Sequence, residues 1–317
     1  MAYNLKETVK KESRLVSGHR MCAGCGAPPA IRNILRALKE EDNAVVSCAT
    51  GCLEVSTCIY PYTSWKNVSF IHTAFACASA VLSGAEKTYY ALKRAGKITK
   101  ETKFIAIGGD GGTLDIGIQS LSGAMERAHD MTYICYDNGA YMNTGTQRSS
   151  ATPHFADTTT SPAGKVIPGK IQKRKDLTQI MAQHNLPYVA QTALFGNLQD
   201  IYTKSETAIY TEGPTFLTVF SPCPRGWGYP TEDLADIQKL AIQTCFWPIY
   251  EIKEGVYKIN YKPANKLPVI EFVKKQKRFK HMMQPGNEWM IEELQKEIDA
   301  KWDYLLKMEE LTNSQKD

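Results

Sequence analysis

Two cysteines stand three positions apart in "GHRMCAGCG" (18–26), wrapped in glycines and preceded by His19 and Arg20. In this spacing Cys22 and Cys25 form a metal-binding pair. A tetrahedral ion or an iron–sulfur cluster asks for two further thiolates. The other cysteines are Cys48, Cys52, Cys58, Cys77, Cys135, Cys223 and Cys245. Cys52, in "ATGCLE", follows a strand-like run beside Gly51. Cys223, in "SPCPRGW", ends another such run between two prolines. Cys48 and Cys135 lie inside strand-like runs and Cys77 in a small-residue helix, where cysteine serves as a small buried hydrophobe. Cys58 and Cys245 have neither setting. By residue type alone, Cys22, Cys25, Cys52 and Cys223 suit Zn²⁺ or a [4Fe–4S] cluster.

A second constellation joins "GGDGGTLDIG" (108–117) to "YDNGAYMNTGTQ" (136–147). Asp110 and Asn138 close the two strands of one strand–helix–strand unit, so they meet at one sheet edge. A carboxylate, a carboxamide and a nearby backbone carbonyl are hard oxygen donors, suited to Mg²⁺ or Ca²⁺ shared with phosphate oxygens. Gly109, Gly111 and Gly112 let the backbone come close, and the helix start that follows aims N–H groups at an anion. The residues alone reach a metal-bound diphosphate.

These side chains need a scaffold, and the periodicity supplies one. "PPAIRNILRALKE" (28–40) is a helix by its Pro start and apolar spacing. "NAVVSCATGC", "VSFIHTAF", "KFIAIGGDGG", "DMTYICYDN", "YVAQTA" and "TFLTVFSPC" are strands. Helices are expected over "ACASAVLSGAEKTYYALKRAG", from near Thr113, from Asp176 and from Asn197. The expectation is a doubly wound, mainly parallel α/β sheet over 1–240, with ligands beyond the carboxyl ends of its strands. Residues 241–317 are expected to be a C-terminal arm and helix making subunit contacts. They hold a hairpin turning at Glu254-Gly255, a basic run "KKQKRFKH", and helical spacing of Ile291, Leu294, Ile298, Trp302 and Leu305.

Composition excludes several classes. Of 317 residues, 43% are hydrophobic and 22% charged, as in ordinary globular chains. A net charge of +5 is too sparse for a nucleic-acid interface. The N-terminal stretch lacks an apolar core of the secretory kind, and no run of apolar residues is long enough to span a membrane. A cytoplasmic chain is expected, in which nine cysteines stay reduced. His72 closes a strand and reads as a core histidine. "KKQKRFKH" reads as a solvated face or subunit contact, with attraction of an acidic ferredoxin as the functional alternative.

The Gly-Asp-Gly opening and the Asn 28 residues beyond Asp110 resemble the signature of thiamine-diphosphate enzymes. That resemblance implies Mg²⁺ held by Asp110, Asn138 and the Ala140 carbonyl, with Asn143 and Thr144 facing the thiazolium and substrate. Gly51, Cys52, Gly109, Gly111, Gly112 and Tyr141 join these as candidate cofactor contacts. The protonating Glu of that family lies on another domain and has no counterpart placed here.

With "GHRMCAGCG", "ATGCLEV", "SPCPRGW" and "VIEFVKKQKRFKH" added, the chain is similar to the thiamine-diphosphate-binding β subunit of 2-oxoacid:ferredoxin oxidoreductases. This implies a [4Fe–4S] cluster on Cys22, Cys25, Cys52 and Cys223. It also implies oxidative decarboxylation of a 2-oxoacid: pyruvate, a branched-chain 2-oxoacid or oxalate. Electrons would pass to ferredoxin, with coenzyme A as acyl acceptor in most relatives. Partner α, γ and ferredoxin-like δ subunits would complete the enzyme. The rival readings are a non-redox thiamine-dependent decarboxylase or ligase subunit with structural zinc, and a non-enzymatic metal-binding scaffold.

Overall fold

In β3 (Thr102–Gly109) Phe104 and Ala106 belong to one hydrophobic cluster and Ile105 and Ile107 to another. In β4 (Thr132–Asp137) Tyr133 and Cys135 alternate with Ile134 and Tyr136 in the same way. Successive side chains point to opposite sheet faces, and here both faces are covered. The computed structural model describes residues 4–59 and 62–314.

The other strands are β1 (Asn43–Ala49), β2 (Ser69–Thr73), β5 (Tyr188–Ala193), β6 (Thr215–Phe220), β7 (Tyr250–Lys253) and β8 (Val256–Ile259). They form one eight-stranded sheet in the order β2-β1-β3-β4-β6-β5-β7-β8. The first six run parallel, and the β7–β8 hairpin adds antiparallel to β5. The strand order turns back at β1, which connects to β2 on one side and neighbours β3 on the other. Such switch points open a crevice at the carboxyl ends of the strands. The ends of β1, β3, β4 and β6 are consecutive neighbours, and they carry Cys52, Asp110, Asn138 and Cys223.

The expected helix over 28–40 is shorter, Ala27–Leu35, and the chain turns through Arg36–Leu38 with Ala37 and Leu38 still buried. The expected helix near Thr113 begins as a π-helical turn, Gly112–Ile116, before the regular helix Ile118–Glu126. Helices Leu177–Ala182 and Leu198–Tyr210 start where expected, and the side chains of Asp176 and Asn197 cap them.

Residues beyond 240 continue this body and do not stand away from it. The hairpin extends the sheet, turning at Glu254 and Gly255 with positive φ. Helix Glu288–Asn313 lays Leu294, Ile298 and Leu305 onto this chain's own core. The aromatic pack of Phe220, Trp227, Trp247 and Phe272 joins the end of β6 to that region. The basic run is not a solvated face throughout. Lys274, Lys275, Lys277 and Lys280 are exposed, but Gln276, Arg278 and Phe279 are buried. His72 is not a core residue: β2 is the sheet edge, and its imidazole is 57% exposed, pairing with buried Glu54 at 2.8 Å.

Candidate functional site at the sheet edge

Asp110 follows β3 directly and is 1% exposed. Its Oδ2 accepts from Ser149 Oγ at 2.5 Å, and its Oδ1 from the Asn138 backbone N–H at 3.3 Å. The tip of the Asn138 carboxamide lies 2.9 Å from Asp110 Oδ1 and 2.8 Å from the Ala140 carbonyl oxygen. With its oxygen turned there, three acceptors converge with no proton between them, which is the donor set of a hard cation. With its nitrogen there, the amide bridges the same two oxygens. Burial, and then the neighbouring Asp137 carboxylate, push Asp110 well above the usual carboxylate range. Asp137 itself pairs with Arg174, and among the described residues no side-chain cation pairs with Asp110. A divalent ion between Asp110, Asn138 and Ala140 would supply that charge, and the residues fit it.

The pocket above Asp110 is lined by Thr50, Gly51, Cys52, Phe75, Gly109, Gly111, Gly112, Tyr136, Asn138, Ala140, Tyr141, Met142, Asn143 and Thr144. Every candidate cofactor contact from the sequence is in it. Gly111 has a steric reason: a Cβ there would lie 2.4 Å from the Tyr141 ring, whose hydroxyl donates to the Gly111 carbonyl at 2.9 Å. Asn143 and Thr144 stand exposed at the mouth. Thr144 Oγ1 donates to Gln147 at 2.5 Å, and Gln147 Nε2 returns a bond to the Thr144 carbonyl at 2.7 Å, which holds the loop.

The four singled-out cysteines share a second cavity of about 190 Å³ with Arg20, Met21, Ser56, Tyr136, Asn138, Asn143 and Ser221. Cys22, Cys25, Cys52 and Cys223 thus come together from three places in the chain. The Cys22–Cys25 loop is fastened to the end of β6, where Gly26 N–H donates to the Pro222 carbonyl at 2.9 Å. Tyr229 Oη donates to the Gly24 carbonyl at 2.9 Å. Gly24 has φ +73° and packs so tightly that a Cβ would lie 2.5 Å from the Thr231 carbonyl, so only glycine fits. Burial, and after it the neighbouring thiols, push Cys52 up to about 12; burial also pushes Cys25 to about 12 and raises Cys223. Four thiolates gathered this way call for a strongly cationic group among them. Cys223 Sγ already accepts from Gly226 N–H at 3.3 Å, as thiolate ligands commonly do.

The remaining cysteines fall elsewhere. Cys48, Cys135 and Cys245 are buried, and Cys77 is half-buried at the start of helix Ala78–Arg94, where its side chain makes no capping bond. Cys58 donates to Glu54 at 2.8 Å. Arg225 is exposed. Among the described residues no three His, Cys, Asp or Glu side chains close on a single ion.

Several residues of the site carry no advance signal of their role. Ser149 lies at the end of "YDNGAYMNTGTQRSS", a stretch that matches the family without giving that serine a role. Trp227, in "SPCPRGW", donates its indole N–H to the Asn138 carbonyl at 2.6 Å. Arg174 and Arg278 come from distant segments. The last is 5% exposed, 3.8 Å over the Trp227 ring.

This fold and edge pocket define a thiamine-diphosphate-binding enzyme domain, and residues 49–219 match the family described as thiamine pyrophosphate enzyme, C-terminal TPP binding domain. The pyruvate synthase subunit PorB of Thermotoga maritima is 47% identical over 320 residues, covering 98% of each chain. PorB of Methanocaldococcus jannaschii is 51% identical over 92% of this chain and 96% of its own. The ketoisovalerate oxidoreductase subunit VorB of Pyrococcus horikoshii is 40% identical over 96% of both. A solved 2-oxoglutarate:ferredoxin oxidoreductase from Magnetococcus marinus matches with a TM-score of 0.54 at 23% identity, covering 67% of each chain; that likeness is one of fold. The chain belongs to the 2-oxoacid:ferredoxin oxidoreductase family, as a thiamine-diphosphate-binding β subunit.

Proposed function

We propose that this chain holds thiamine diphosphate through Mg²⁺ on Asp110, Asn138 and the Ala140 carbonyl, and a [4Fe–4S] cluster on Cys22, Cys25, Cys52 and Cys223. With α, γ and ferredoxin-like δ subunits it oxidatively decarboxylates a 2-oxoacid in the cytoplasm and delivers single electrons to ferredoxin. The observation that carries this reading is a shared wall: Cys52, Tyr136, Asn138 and Asn143 line both the diphosphate pocket and the cysteine cavity. When bound, thiamine diphosphate supplies the electron sink for cleavage beside a keto carbon, and the cluster supplies a one-electron acceptor.

The chain's own residues do the rest. Asp110, oriented by Ser149, anchors the diphosphate end through the metal. Gly111 and Gly112 open the backbone to phosphate oxygens. Phe75 and Tyr141, 6.1 Å apart edge to face, wall the pocket from water. Asn143 and Thr144 present hydrogen-bonding groups to the substrate at the mouth. The acyl product leaves on coenzyme A where the substrate retains an acyl group.

Pyruvate is the favoured substrate, since the relatives at 47% and 51% identity are pyruvate synthase subunits and the ketoisovalerate one stands at 40%. The zinc reading is less well supported. Four thiolates on zinc at ~2.3 Å put sulfurs about 3.8 Å apart. The cysteines here share the lining of a cavity of about 190 Å³, and among the described residues no three of them close on one ion.

Anaerobic purification of the chain, with iron, sulfide, zinc and thiamine assayed together, tests the proposal. About four irons with thiamine supports it. Zinc with thiamine supports a non-redox subunit, and metal without thiamine a scaffold.

A further inference from the structure

Among the described residues, Arg278 is a buried cation with no ion-pair partner. Its Nε donates to the Gln276 side-chain carbonyl at 2.8 Å, and Nη2 has no partner. Asp137, the carboxylate of the neighbourhood, is taken by Arg174. A guanidinium kept from water and unpaired is costly unless an anion shares its low-dielectric surroundings. Burial, then Arg174, lowers its pKa to about 9, which still leaves it charged at neutral pH.

Its position names the anion. The guanidinium stacks 3.8 Å over Trp227, in the turn that Cys223 opens and caps with its sulfur. Nη1 would lie 3.1 Å from a Cβ at Gly139. The charge therefore sits behind Cys223, on the protein side of the cysteine cavity. Arg225, nearer in sequence, is solvent-exposed, so water screens it.

Resting on the cluster reading above, we propose that Arg278 is the fixed positive charge that sets the reduction potential of the group held by the four cysteines. Taking up one electron breaks no bond but adds one negative charge to an assembly that four thiolates already make anionic. A buried cation favours that more negative form, raising the potential and making the cluster a better acceptor. Arg278 is thus a positioning residue for electron transfer, touching neither substrate nor thiamine.

The test uses the full chain purified anaerobically, with Arg278→Gln and Arg278→Lys compared by spectroscopically monitored redox titration. Arg278→Gln with iron and sulfide retained should lower the reduced-to-oxidised ratio at fixed poise about ten-fold, a shift of ~59 mV for one electron. Arg278→Lys should restore most of it. Thiamine diphosphate affinity should change less than about two-fold, well under the ten-fold that 1.4 kcal/mol represents. An unchanged potential in an iron-replete Arg278→Gln chain overturns the inference. So does a potential that holds while thiamine affinity falls, which would assign the charge to the diphosphate. Should Arg278→Gln lose its iron, Gln276→Glu decides. It leaves the guanidinium in place and gives it a carboxylate, so the potential must fall in the same direction or the inference fails. Wild-type chain without iron and sulfide would sink the cluster reading itself, a result distinct from an unmoved potential.

Discussion

The indole N–H of Trp227 donates to the main-chain carbonyl of Asn138 across 2.6 Å. One residue belongs to the turn opened by Cys223, the other to the loop that meets Asp110. This bond ties the cysteine cavity to the diphosphate pocket through a buried contact. Trp227→Phe leaves that carbonyl buried without its donor, at a cost of about 1–3 kcal/mol. Thiamine diphosphate binding should weaken roughly ten-fold, since 1.4 kcal/mol is a factor of ten. Calorimetric titration reads the change, and an unaltered affinity would show that the two loops are held independently.

The diphosphate pocket and the cysteine cavity use different ligands, so they should fail separately. Asp110→Ala should abolish Mg²⁺-dependent thiamine diphosphate binding while iron content holds. Ser149→Ala removes the hydroxyl that orients the carboxylate and should weaken binding about 10–100-fold, as outer-shell partners of metal ligands do. Iron lost with thiamine retained in Asp110→Ala would mean the two sites have been exchanged.

Cys52 and Cys135 make a paired control. Cys52 faces the cysteine cavity, while Cys135 is fully buried inside β4. Cys52→Ser should lower iron and sulfide per chain sharply. Cys135→Ser should leave both intact and only lower the melting temperature. Comparing metal content of the two variants checks the ligand assignment directly.

The terminal helix carries a pH dependence of its own. Asp176 meets Lys301 at 2.7 Å and also caps helix Leu177–Ala182. Burial works against its charge, but Lys301, the Gln179 N–H and Arg174 outweigh it, and the carboxyl lies below the usual 3.8. A depressed acid contributes stability above its unfolded pKa and loses it as pH falls through the folded one. Protection factors of the amides in helix Glu288–Asn313, corrected for the intrinsic rate at each pH, should therefore fall below about pH 4 in the wild type. In Asp176→Asn, which keeps the cap but not the charge, the exchange should already be faster at pH 7. For a partly buried pair, with side chains 30% and 29% exposed, the difference should be about 0.5–1 kcal/mol. Equal exchange in both proteins at pH 7 would show that the ion pair adds nothing.

Much of the scaffold was readable in order of sequence. The strands announce themselves by short apolar runs, with glycines closing or soon following β1, β3 and β4. Asp176 and Asn197 announce helix starts because a capping side chain is a local device. The hairpin turn at Glu254-Gly255 is local as well. Its attachment to β5 is not, because pairing partners 59 to 65 residues apart leave no mark on either segment. Edge placement was equally silent, which is why His72 resembled a core residue until β2 proved to be the rim of the sheet. The basic run reads as a solvated face or a subunit contact because four of its residues are lysines; that Arg278 turns inward depends on Trp227 beneath it.

The sequence by itself determined which atoms were on offer: a glycine-flanked carboxylate and carboxamide at two strand ends, and thiols at a loop and two further strand ends. These are matters of residue type and local backbone geometry. Only the tertiary structure decided that β1, β3, β4 and β6 lie side by side. That order is set by burial of both sheet faces. It brings Cys52 and Cys223 to one cavity with the Cys22–Cys25 loop, and it puts the unpaired charge of Arg278 behind them. Electrostatic surroundings arise from what packs nearby in space, and no stretch of chain carries that information alone.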